Sequence, residues 1–124
     1  NILENKKKDQ LFKNFDNKIK ALQWHSYEVS ELNNSEVTIL GSSEITKYQI
    51  FKYKNHAYGI QFHMEVDEST IFKWSKVPEL KKTLEKYLGK NSISKLDLLL
   101  RNNIKEMNKN TQKLYKNFKN LMTT

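Results

Sequence analysis

The chain has 124 residues, of which 37% are hydrophobic and 29% are charged, a composition that is lean for a self-sufficient α/β domain. It contains no cysteine, which excludes disulfides and thiolate metal ligands. No stretch approaches the about 20 apolar residues of a membrane span, and no apolar segment typical of a signal peptide follows Asn1, so no membrane association and a cytoplasmic location are expected. The net charge of +8 comes from lysine, with Arg101 as the one arginine. Arginine is the usual residue for base and phosphate contacts, so A+T-rich coding explains this composition better than a nucleic-acid partner does.

The first 17 residues are mostly polar, and the pattern predicts a solvated lead-in over residues 1–17. Within it, Leu11, Phe12 and Phe15 have helical spacing, which predicts a short turn anchored by these side chains. The strand-rich part of the chain is then predicted over residues 18–65. It begins with a strand at residues 18–23 that leads into Trp24.

Three further strands are predicted, over residues 36–40, 48–53 and 57–63. The Gly41-Ser42-Ser43 segment is expected to end the first of them. A turn at Lys54-Asn55 joins the other two, so these two strands are expected to pair in antiparallel orientation. The aromatic and β-branched character of residues 58–62 predicts that the last strand is buried.

The pattern changes to helical over residues 67–124. Asp67 is expected to cap a first helix, Pro78 to start a second and Gly89 to end it. Ser94 and Asp97 are expected to form a capping pair for a last helix. That helix carries an apolar stripe, formed by Ile93, Leu96, Leu100, Ile104, Met107, Leu114, Phe118 and Leu121. Packing on the domain's own sheet is the first interpretation, and docking to a partner subunit or a second copy is the alternative.

The most informative stretch is Gln61-Phe62-His63-Met64-Glu65. In an extended segment His63 and Glu65 project to the same side, with their Cα atoms about 6–7 Å apart. A carboxylate placed in this way can bind one ring nitrogen of the histidine and leave the other free. That arrangement is the base and the orienting acid of a nucleophilic triad. The alternative is a polar histidine at a strand end beside a solvated carboxylate.

The order of two motifs makes this pattern more specific. Gln23-Trp24-His25-Ser26, followed by a β-rich region and then by Gly59-Ile60-Gln61-Phe62-His63-x-Glu65, resembles the C-terminal half of class I glutamine amidotransferases, and especially domains similar to the amidotransferase part of GMP synthase. The resemblance covers about residues 10 to 90. It implies a flavodoxin-like α/β fold, with partly antiparallel strands followed by helices, so residues 1–124 are interpreted as a single partial domain. The family usually has proline at the position of Met64.

Members of this family use a cysteine on a tight strand-to-helix turn to attack the side-chain amide of glutamine. The resemblance implies that His63 is the base of this reaction and that Glu65 orients it. It also implies a glutamine-binding segment, formed by Trp24, His25, Ser26 and Tyr27. The cysteine would have to come from a missing N-terminal half, and this chain alone is expected to be inactive. The alternatives are a non-catalytic relative that binds a partner through its basic last helix, and a lysine-rich nucleic-acid-binding module.

Neither a cofactor nor a metal is expected. The three glycines, Gly41, Gly59 and Gly89, form no phosphate-binding loop, so an activated acceptor for the ammonia would belong to a synthetase or acceptor domain or subunit. A zinc site from His25, His63 and Glu65 is an alternative, but its spacing matches no helix-borne histidine pair. His56 is expected to be exposed in a turn.

Overall fold

The computed structural model describes residues 2–4, 9–24, 27–33 and 35–123. Within these residues five strands form one sheet, a short 3₁₀ turn follows the first strand, and three helices follow the last. The strands are β1 (Ile2–Glu4), β2 (Lys18–Ile19), β3 (Val37–Ser42), β4 (Ile50–Tyr53) and β5 (Ala57–Ile60), the turn is Gln10–Phe12, and the helices are α1 (Thr70–Ser75), α2 (Pro78–Leu88) and α3 (Ser92–Met122). The sheet order is β2-β1-β3-β4-β5, and all described pairings are antiparallel. This combination of strands and following helices is compatible with an α/β fold.

The prediction of a solvated lead-in over residues 1–17 was wrong for Ile2–Glu4. Strand β1 lies inside the sheet, where it pairs with β2 on one side and with β3 on the other. These pairings join positions far apart in the sequence, so the local composition could not reveal them. The turn predicted around Leu11 and Phe12 is confirmed, because both side chains are buried and Phe12 packs edge-on against Phe15 with ring centroids 5.3 Å apart.

Three of the predicted strands are shorter than expected and one is longer. The strand predicted at residues 48–53 starts only at Ile50. The strand predicted at residues 18–23 ends at Ile19, and the chain is then held by an isolated bridge between Leu22 and His63. The strand predicted at residues 57–63 ends at Ile60. Strand β3 ends at Ser42, within the predicted Gly41-Ser42-Ser43 segment, and so continues through Gly41 instead of stopping at Leu40. A register shift occurs at this point, and a Cβ on Gly41 would lie 2.6 Å from Ile50 Cδ1.

The antiparallel pairing of β4 with β5 is confirmed, with Ile50 opposite Ile60 and Tyr53 opposite Ala57. The predicted burial of the last strand was wrong for Ile60, which is 37% exposed. The reason is that β5 is an edge strand, so one side of it has no neighbouring strand within the described sheet. Burial returns only after β5 ends, at Phe62.

The capping predictions were right for α2 and wrong for the other two helices. Pro78 starts α2, and Gly89 follows it with a φ of 88°. Helix α1 starts at Thr70 after Ser69, and Asp67 instead accepts a 2.7 Å hydrogen bond from the Ser69 N–H in the preceding turn. Helix α3 already starts at Ser92, so Ser94 lies within it, and its cap is Asn91 with a φ of 66°.

One hydrophobic core joins the sheet to the helices. Its buried members are Leu11, Phe12, Ile19, Leu22, Leu40, Ile50, Phe62, Met64, Val66, Ile71, Leu100 and Met107. The stripe of α3 packs on this core as expected, except that Ile104 is buried outside this cluster and Phe118 is 46% exposed. Among the described residues, none of the helices combines the length and the apolar character needed to cross a bilayer.

Candidate functional site

His63 lies just beyond the end of β5 and is fixed by backbone pairing. Its N–H donates to the Leu22 carbonyl at 2.9 Å, and its carbonyl accepts from the Leu22 N–H at 2.8 Å. Phe62, Met64 and Val66 are all buried, so the intervening side chains face the other way, as expected of an extended segment. This alternation places His63 and Glu65 on the same side, which confirms the geometric part of the prediction.

The two side chains form a direct contact, with His63 Nδ1 2.5 Å from Glu65 Oε1. The second carboxylate oxygen accepts a 2.9 Å hydrogen bond from the Met64 N–H. A carboxylate oxygen can only accept, so the neutral ring carries its proton on Nδ1 and presents a lone pair on Nε2. Within the described part of the chain, Nε2 makes no hydrogen bond, and the His63 side chain is 33% exposed.

Glu65 is held in its ionised form. Partial burial raises the pKa of this carboxyl, but the hydrogen bond with His63, the backbone N–H groups and the charge of His63 outweigh that effect. The net result is a pKa below the usual range. An ionised Glu65 can therefore both fix the orientation of the imidazole and stabilise an imidazolium when His63 takes up a proton.

Trp74 packs against the imidazole of His63, and Trp24 packs in turn against Trp74. The Trp74 ring of α1 lies with its centroid 5.2 Å from that of His63, at an interplanar angle of 71°, and the Trp24 centroid lies 5.2 Å from that of Trp74. Helix α1 is fixed in place by Ile71, which is fully buried. The sequence identified Trp74 only as an apolar helical position. Its contact with His63 could not be read from spacing, because it depends on how α1 packs.

The predicted glutamine-binding segment is described only in part. Trp24 is partly buried and comes close to His63 through Trp74, two residues after the Leu22 bridge. Tyr27 is 89% exposed. His25 and Ser26 lie outside the described residues, so their roles stay predictions. His56 is exposed as expected and makes an edge-on contact with the Tyr53 ring.

The His63–Glu65 pair is suited to moving protons, and the chain offers no thiol for it to act on. No residue of the sequence is a cysteine, and a histidine with its carboxylate acts on a thiol or a water molecule. In the described residues, no group of three or more His, Asp or Glu side chains is arranged to hold a metal ion. The zinc alternative involved His25, which lies outside that range.

Comparison with known families decides the assignment. A family model described as glutamine amidotransferase class-I matches residues 1–72, which is more than half of the chain and includes both His63 and Glu65. The chain belongs to the class I glutamine amidotransferase family. No curated protein and no solved structure matches the chain. Membership supports glutamine amidotransferase function, and hence enzymatic activity, in general terms. Trp74 and helices α2 and α3 lie beyond the matched residues of this amidotransferase chain.

Proposed function

We propose that this chain supplies the base and the orienting acid of a Cys-His-Glu triad that hydrolyses glutamine to glutamate and ammonia. His63 is the base and Glu65 is the orienting acid. The observation that carries the proposal is the 2.5 Å contact between His63 Nδ1 and Glu65 Oε1, together with the partial exposure of the His63 side chain. The nucleophilic cysteine belongs to a polypeptide segment outside these residues.

In the first half of the reaction, His63 Nε2 takes the proton of the thiol, and the thiolate attacks the side-chain amide carbon of glutamine. The imidazolium then gives its proton to the departing nitrogen, and ammonia leaves as the thioester forms. Glu65 stabilises the imidazolium electrostatically without accepting its proton. The same residue that acts as base therefore acts next as acid.

In the second half, His63 Nε2 takes a proton from water, and the resulting hydroxide attacks the thioester carbon. The tetrahedral intermediate collapses with release of glutamate, and the proton returns from His63 to the cysteine sulfur. The two half-reactions require no cofactor. The ammonia passes to an acceptor site in a synthetase or acceptor domain or subunit.

The segment that follows the Leu22 bridge is proposed to line the glutamine site. Its members are Trp24, His25, Ser26 and Tyr27. Support comes from the bridge itself, which fixes the start of this segment beside His63, and from the contact of Trp24 with Trp74. We further propose that the chain corresponds to the C-terminal half of a GMP synthase-like amidotransferase domain, with a flavodoxin-like fold completed by an N-terminal half that carries the cysteine.

The experiment compares His63→Ala with His56→Ala in the complete protein. His56 is the matched control, because it is exposed in the turn between β4 and β5 and takes no part in the triad. We expect His63→Ala to lower glutamine-dependent ammonia release by about a thousandfold or more, with synthesis from external ammonia unchanged. The His56→Ala variant is expected to keep both activities. Near wild-type glutaminase activity in His63→Ala would contradict the proposal.

A further inference from the structure

We infer that the side chains of Gln61 and Gln49 form a clamp that holds the chain at Gln23 and at Val29, on either side of the segment proposed to bind glutamine. Gln61 is thereby a positioning residue for glutamine binding. The part of this inference that concerns substrate rests on the proposed function. The clamp itself is defined by contacts that are independent of it.

Gln61 holds the far end of the segment. Its Nε2 donates to the Tyr48 carbonyl at 2.6 Å, and its Oε1 accepts from the Val29 N–H at 3.1 Å. Val29 lies in a stretch with no regular secondary structure, 32 positions from Gln61 in the sequence. A carboxamide can play both roles at once, because its nitrogen donates hydrogen bonds and its oxygen accepts them. Glutamate would keep the acceptor but lose the donor, and methionine would lose both.

Gln49 holds the near end. It is fully buried, and its Nε2 donates to Gln23 Oε1 at 3.1 Å and to Ser43 Oγ at 3.0 Å. The two glutamines are also joined through the backbone, because the Gln61 N–H donates to the Gln49 carbonyl at 3.0 Å. The clamp therefore holds the chain at Gln23 and at Val29 from two neighbouring residues, Gln49 just before β4 and Gln61 just after β5.

The two held residues, Gln23 and Val29, flank the segment proposed to bind glutamine. The chain leaves the bridge at Leu22, is held at Gln23, and places Trp24 against Trp74 beside the imidazole. It is held again at Val29, after the residues proposed to contact glutamine. Fixing the chain at two points that flank a binding segment lowers the entropy lost when a ligand orders that segment. The clamp accordingly favours substrate binding more than the chemical step.

The first test measures backbone amide exchange in the complete protein. The variants are Gln61→Met and Gln61→Glu, and Gln112→Met is the matched control because Gln112 is exposed on α3. We expect the Val29 N–H to exchange about tenfold faster or more in Gln61→Met, as is typical for loss of a hydrogen-bond partner, whereas Gln61→Glu keeps the acceptor and should accelerate this exchange less. Amides of β3 and β4 should keep their wild-type rates, and the control should change neither. Unchanged Val29 exchange in Gln61→Met, or equal acceleration across the whole sheet, would overturn the clamp.

The second test separates binding from chemistry in the complete protein. We expect Gln61→Met to raise the KM for glutamine about tenfold while kcat changes less than twofold, because the triad stays intact. His63→Ala is expected to lose kcat instead. An unchanged KM in Gln61→Met would overturn the positioning role. If His63→Ala kept its glutaminase activity, the proposed function would fail, and the exchange experiment would still decide whether the clamp exists.

Discussion

Two carboxylates of this chain, Asp9 and Glu65, each bind a basic side chain, but the first is buried and the second is exposed. The Asp9 side chain is 8% exposed, with Oδ2 2.8 Å from Lys52 Nζ and Oδ1 accepting from the Tyr58 hydroxyl at 2.9 Å. The Glu65 side chain is 61% exposed and binds His63. The buried pair connects the segment before the 3₁₀ turn to β4 and β5, whereas the exposed pair lies at the end of the sheet.

The difference lies in what each carboxylate leaves unbound. Burial raises the pKa of Asp9, but the bonds from Lys52, from the Leu11 N–H and from Tyr58 outweigh it and lower the pKa below its usual range. Both oxygens of Asp9 are therefore occupied by contacts that link different parts of the fold. Glu65 also has a lowered pKa, yet its bond to Nδ1 leaves the second ring nitrogen of His63 without a partner in the described chain. The first arrangement stabilises the fold, and the second is suited to proton transfer.

The largest difference should appear in stability. We expect Asp9→Asn to lower the free energy of unfolding by about 2–3 kcal/mol, because it leaves the charge of Lys52 partly buried without its partner. Urea unfolding monitored by tryptophan fluorescence measures this directly. Glu65→Gln serves as the comparison. If Asp9→Asn cost no more than Glu65→Gln, the division into a structural and a functional carboxylate would be wrong.

The second effect concerns the aromatic support of the site. Trp74→Ala should lower stability by about 1–3 kcal/mol, less than for a fully buried tryptophan, because Trp74 is only partly buried. It should also remove the ring-current shift that Trp74 imposes on the His63 ring protons. Trp74→Phe is the control, since it keeps an aromatic ring and most of that shift. Ring-proton NMR shifts of His63 that stayed the same in Trp74→Ala would show that the two rings are not in contact.

A third effect is the pH dependence of stability. The folded pKa of Asp9 is lower than its unfolded value of about 3.9, so this group contributes stability that is fully present well above that value. The contribution is lost as the pH falls through the folded pKa, at about 1.4 kcal/mol for each unit of difference. The free energy of unfolding should therefore fall more steeply for the wild type than for Asp9→Asn as the pH is lowered from 6 to 3. Parallel curves would contradict this assignment.

The smallest expected effect is that of Glu65→Gln on stability. Because Glu65 is largely exposed, its ion pair should contribute less than about 1 kcal/mol. The same urea unfolding experiment provides the measurement. A loss as large as that of Asp9→Asn would mean that Glu65 mainly supports the fold.

The sequence predicted the part of the site that depends on local alternation. Phe62, Met64 and Val66 point inward, and that period of two is enough to place His63 beside Glu65. The sequence did not predict the inner position of β1, because its pairings are non-local. The start of α3 was also missed, since it depends on the left-handed backbone of Asn91 rather than on the capping pattern of the following residues.

The remaining features of the site depend on tertiary proximity. Spacing along the chain cannot show that Trp74 packs on His63, because α1 must first dock through Ile71. It also cannot show that Gln61 reaches Val29, since these residues are 32 positions apart and meet only in the folded chain. Both contacts involve ordinary residue types, so composition gave no signal for either.

The most direct test of the central claim is the proton position on the His63 ring, measured by long-range ¹H–¹⁵N NMR at a pH where the ring is neutral. We expect the proton on Nδ1, with Nε2 unprotonated, because Glu65 can only accept a hydrogen bond from Nδ1. Glu65→Gln is the control and should lose this preference. A wild-type ring with its proton on Nε2 would contradict the account, since the nitrogen needed to take a proton from a thiol would already carry one.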